Sequence, residues 1–193
     1  NTFISNTFTS NVATNSATVF GGAIYANGNG NTFEGNIFEG NIASGTSTNT
    51  SYGGGAIYAG SRNSIINNTF TNNQTNRYGG AVYANSAGNI ITNNTFSSNT
   101  AYTGGAIYLQ GNSNTISSNT FEGNIASGTA TQGGAIYADS SNTITSNTFT
   151  GNQSYDGGAI WAGSYNTIAN NIFEGNSTDN GSGQGGAIWI HGS

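Results

Sequence analysis

A chain of 193 residues with a formal net charge of −5 and only 5% charged side chains has no basic surface able to neutralise a phosphate backbone, which excludes nucleic acid as a partner. Lys, Pro, Cys and Met are absent, so disulfides and thiolate metal sites are excluded together. No apolar run approaches the roughly 18 residues of a membrane span. Gly (31 residues), Asn, Thr and Ser dominate, a composition that would suit disorder if Phe and Tyr (10 each) did not recur at regular places.

In chain order, the first element is Asn-Thr-Phe-x-x-Asn-Thr-Phe-x-x-Asn at 1–11. It predicts two very short strands separated by corners, because Asn, Gly and Thr are weak helix formers and a five-residue spacing keeps no helical face. The second element is Gly-Gly-Ala-Ile-Tyr, beginning at Gly21, and it predicts a third strand. Both elements then recur. The glycine pair restarts at Gly54, Gly79, Gly104, Gly133, Gly157 and Gly185, which makes seven copies. The second strand carries Phe8, Phe38, Phe70, Phe96, Phe121, Phe149 and Phe173, the core column. Ahead of it run Phe3, Phe33, Ile65, Ile91, Ile116, Ile144 and Ile168.

Each repeat thus reads as one coil of an all-β, three-sided parallel solenoid of about seven coils, with residues 1–193 forming one domain. An Asn or Gly is expected at each corner, where Asn tolerates the left-handed backbone and can bond to the turn, and Asn can stack in an amide ladder on Asn of the next coil. A single coil cannot hold itself together, so its stability comes from the coils above and below. Alternation within Gly-Gly-Ala-Ile-Tyr puts Ile inward and turns Tyr25, Tyr58, Tyr83, Tyr108, Tyr137, Trp161 and Trp189 outward. The reverse phase, with the aromatics inside, stays open, since a one-residue slip swaps the faces. Facing out, the rings would form an exposed strip about 34 Å long, an interaction surface for another rod or for sugar rings.

The paired motifs "GGAIYA" and "NTFxxN" resemble the GGAI and FxxN repeats of the polymorphic outer membrane protein family, found in autotransporter passengers and adhesin-like surface proteins. The Asn-x-Ile-x-x-Asn run is also similar to the parallel β-helix repeat of pectate-lyase-like proteins. The resemblance covers the whole chain. It implies a right-handed parallel β-helix and an extracellular or cell-surface location. It carries over no catalytic residue, and the family's membrane-anchoring barrel has no counterpart here.

No leader-like segment precedes Asn1, so the sequence reads as a mature form or an excerpt. Gly133 and Gly157 are each followed nine residues later by Asn142 and Asn166, and the same step from Gly185 passes just beyond Ser193, where another Asn1 would fit. With no capping segment visible, the chain is expected to be cut from a longer solenoid or to stack head to tail on further copies.

Chemistry is sparse. Asp139, Asp156 and Asp179 fall at different coil positions, and Glu39, Glu122 and Glu174 share a position in separate coils. Glu34 and Glu39 offer at most a weak Ca²⁺ site, and solvated side chains are the plainer reading. His191 stands alone, and Arg62 and Arg77 suit solubility or a local ion pair. No catalytic, metal or cofactor site is therefore expected, and no enzyme. Ranks of Thr (Thr2, Thr32, Thr115, Thr143, Thr167 and Thr7, Thr69, Thr95, Thr120, Thr148) resemble those of ice-binding solenoids, though Thr also simply suits an exposed strand. Among the glycosylation sequons, Asn49 and Asn180 lie in the long inserts 43–52 and 177–184. The expected role is a self-associating extracellular filament, sheath or surface layer. Behind it stand a glycan-binding adhesin and, more distantly, an ice-binding solenoid.

Overall fold

A computed structural model describes residues 1–15, 18–46, 52–178 and 183–192. One inner coil shows how the sequence becomes structure. Ser64–Ile66, Thr69–Thr71, Gln74–Thr75 and Val82–Ala84 are strands. Each pairs in parallel with its equivalents in the coils before and after. Among the described residues, repetition of this circuit gives four parallel sheets of seven strands. Among the described residues there is no helix, and none long and apolar enough to cross a membrane.

Four strands per coil, rather than three, is a correction to the expected three-sided section. The added strand follows the third Asn and is two to four residues long. Its buried members are small (Ala43, Thr75, Ala101, Ala126, Ser154), so it offers no large apolar column to betray it.

The core is built from like residues in register. Phe8, Phe38, Phe70, Phe96, Phe121, Phe149 and Phe173 stack face to face at 4.8–4.9 Å, within 3–7° of parallel. This spacing is the strand-to-strand distance itself, so the rings need no tilt to stay in contact. Ile65, Ile91, Ile116 and Ile144 form a second buried column, and Ile57, Val82, Ile107, Ile136 and Ile160 a third.

Three asparagine ladders edge this core, running Asn1 to Asn166, Asn6 to Asn171 and Asn11 to Asn176. Side-chain amides donate to the Oδ1 of the next coil at 2.8–3.2 Å. The Asn142–Asn166 step is made by the Asn142 backbone N–H at 2.8 Å. The same Oδ1 atoms also accept a backbone N–H, as Asn99 does from Asn73 at 3.0 Å. A buried amide is tolerated because its donors and acceptor are met.

The left-handed backbone falls on Gly or Asn at many corners, as expected, but not on the ladder Asn itself. The residue before each ladder Asn adopts it: Ser98 and Asn67 have φ of 54° and 57°, and even Arg62 and Tyr165 have 55° and 59°. The Asn turns inward only after that corner is made.

The glycine pair serves two separate needs. The first glycine is left-handed, with φ of 63–72° from Gly21 to Gly185. The second lies against the next coil: a Cβ on Gly80 would sit 2.0 Å from the Gly105 carbonyl oxygen. The coil closes at this point only because nothing projects from it.

Candidate functional site

The strand after the glycine pair positions the aromatic column. Ile57 and Ala59 belong to the core cluster and Tyr58 between them does not, so the rings stand on the outer face of their sheet. They do not form the expected open strip. Tyr25 is 54% exposed, but Tyr58, Tyr83 and Trp161 are only 5%, 1% and 6% exposed.

Two effects close the column. Neighbouring rings cover one another: Tyr108, Tyr137 and Trp161 stack at 4.5 and 4.3 Å, within 6° of parallel. Tyr58, Tyr83 and Tyr108 meet edge to face at 5.2 and 5.3 Å. Phe20 and Tyr78, each immediately before a glycine pair, then lie across the stack. Phe20 reaches Tyr58 at 4.6 Å, and Tyr78 reaches Tyr108 at 4.5 Å. Ring faces used in this way are not free to receive a sugar ring, which removes stacking as the means of binding along most of the column. Sequence reading missed Phe20 and Tyr78 because other repeats hold Thr103, Gln132 or Asp156 at that place.

Hydroxyls remain at the rim. Burial pushes the Tyr137 phenol up to about 12, and the nearby Asp139 carboxylate adds to this while a hydrogen bond from Tyr108 opposes it. Tyr108 is raised further, again by burial first, and Tyr58 is raised in the same direction. The Tyr83 hydroxyl donates to Gln110 Oε1. Beside Gln110 lies a groove of about 410 Å³, lined by Ser86, Gln110, Asn112, Asp139 and Ser140 together with Ala87 and Gly111. At the column's far end His191 lies against Trp161 at 5.6 Å and Trp189 at 5.3 Å. The Trp161 indole N–H is buried without a hydrogen-bond partner.

The other candidates are scattered. Glu34, Glu39, Glu122 and Glu174 are all exposed. No group of three His, Cys, Asp or Glu side chains able to hold a metal occurs among the described residues. Thr69, Thr95, Thr120 and Thr148 do align in register, with Ile37 and Ile172 ending the rank. Asn49 and Asn180 lie outside the described residues, as does Asp179. Sequons also stand at Asn67, Asn73, Asn93, Asn152 and Asn176; Asn73 and Asn152 are buried in a ladder, Asn176 is half-buried, and Asn67 and Asn93 are exposed.

Residues 1–173 match the family model described as a right-handed beta helix region. The chain belongs to the right-handed β-helix family. Within this β-helix, residues 172–191 also match the Chlamydia polymorphic membrane protein repeat. That repeat points to a protein of the cell surface or outer membrane with adhesin-like character. No curated protein and no solved structure matches the β-helix significantly.

Proposed function

We propose that the chain is a non-catalytic shaft segment of an extracellular surface structure, extended by coil-on-coil stacking. One observation carries this reading. Every coil meets the next through the same backbone contact at the second glycine of its pair. At Gly22, Gly55, Gly80, Gly105, Gly134 and Gly158 a Cβ would fall 2.0–2.1 Å from the next coil's glycine oxygen, so the coils touch there backbone to backbone. A contact that repeats in one register without closure builds a fibre. Low charge suits such a surface, since few ionic groups respond to salt.

Electron microscopy of the purified chain tests it. Long uniform fibres are expected from the parent chain. Discrete short rods from the parent chain would overturn the reading. The non-catalytic part fails if the pure protein depolymerises any of a panel of plant and microbial polysaccharides.

A second reading, an adhesin that binds glycans, is favoured by the polymorphic membrane protein repeat at 172–191 and by the polar groove beside the tyrosine column. Ice binding through the Thr ranks stands further back, and zero thermal hysteresis would end it.

A further inference from the structure

We infer that the groove at Gln110, Asn112 and Asp139 is a binding site for a neutral, polyhydroxylated ligand, a saccharide unit held by hydrogen bonds rather than by ring stacking. The inference rests on the glycan-binding reading and gives it a location.

The groove arises where corners of four residues, 85–88 and 110–113, give way to one of three, 139–141. Its walls are backbone held from beneath by one asparagine ladder. Asn89 donates to the Ser86 carbonyl at 2.9 Å, Asn114 to the Gly111 carbonyl at 2.9 Å, and Asn142 to the Ser140 carbonyl at 3.1 Å. Gly111 lets two corners meet in backbone contact, since a Cβ there would fall 2.2 Å from the Ser86 carbonyl carbon. The site is thus set before a ligand arrives, which lowers the entropy cost of binding.

Its chemistry selects the ligand class. The Tyr83 hydroxyl occupies Gln110 Oε1, which leaves the Gln110 amide hydrogens as donors. Asp139 supplies acceptor oxygens, Asn112 both kinds, and Ser86 and Ser140 hydroxyls that turn to suit. A carboxylate beside amide donors matches a pair of neighbouring hydroxyls, each of which donates and accepts. An anion would meet Asp139 in a chain of net charge −5. A bare divalent cation would find one carboxylate where it needs several oxygen ligands. The volume, about 410 Å³, lies at the small end of ligand sites, enough for one or two sugar units.

Saturation-transfer NMR and calorimetry with neutral tetrasaccharides of glucose, mannose, galactose and N-acetylglucosamine provide the test. At least one should bind saturably. Asp139→Asn and Asn112→Ala should each weaken it about tenfold or more with the melting temperature unchanged, since both side chains are exposed. Binding that neither variant weakens overturns this site and leaves the glycan reading standing. Binding of none of the four overturns both.

Discussion

Replacing Asn99 by Ala removes the middle rung of one asparagine ladder, and its cost can be worked from four hydrogen bonds. Asn99 is fully buried. Its Oδ1 accepts from the Asn73 backbone N–H at 3.0 Å and from the Asn73 amide at 3.0 Å. Its own amide donates to the Phe70 carbonyl at 3.0 Å and to Asn124 Oδ1 at 2.9 Å. At a net value of about 1 kcal/mol each, the bonds amount to about 4 kcal/mol, and a stranded buried N–H on Asn73 adds about 1–3 kcal/mol more. Asn11, on the same ladder, is exposed and uses its side chain to donate to Asn41 Oδ1 at 2.8 Å. Asn11→Ala should therefore cost about 1 kcal/mol or less. Urea unfolding followed by circular dichroism compares the two. Hydrogen exchange at Asn73 and Asn124 shows whether the opening stays local, as expected of stacked units with nearest-neighbour coupling. Equal losses for the two variants, or a loss below about 1 kcal/mol at Asn99, would refute the view that the ladders hold the coils together.

The Gly80→Ala methyl would fall 2.0 Å from the Gly105 oxygen and 2.7 Å from the Thr100 nitrogen, all of it backbone. A loss of about 3 kcal/mol or more is expected in chemical denaturation, and a variant that melts like the parent would show that the coils can part there without penalty. Tyr137 is raised to about 12 from a reference value of 10.0, so stability is fully present below pH 10 and is lost as pH rises through 12. Tyr108 acts in the same direction. Melting curves and tyrosinate absorbance across that range check this, and a melting temperature flat to the top of it would contradict the burial. Trp161→Phe deletes the unpartnered indole N–H and should stay within about 1 kcal/mol of the parent, since relief of the orphaned donor offsets the lost ring area. Trp161→Ala, by contrast, should cost about 3–5 kcal/mol in the same thermal melts.

The sequence by itself determined the repeat and what piles on what. Phe recurs at one place in every coil, and two glycines recur at another. A parallel strand stack is the arrangement that satisfies both at once, because identical coils put identical residues 4.8–4.9 Å apart. Tertiary structure alone decided the rest. The fourth strand is only two residues long in several coils, too short to show a period. The left-handed corner falls on Ser, Gly, Asn, Arg62 or Tyr165, a position without a constant residue type. The tyrosine column turned outward yet closed, since Phe20 and Tyr78 reach it across coils from positions that do not repeat. The groove at Asp139 exists because neighbouring corners differ by one residue in length. Periodicity reports what every coil shares, whereas a site is made where the coils differ, and that difference acquires a shape only once they are stacked.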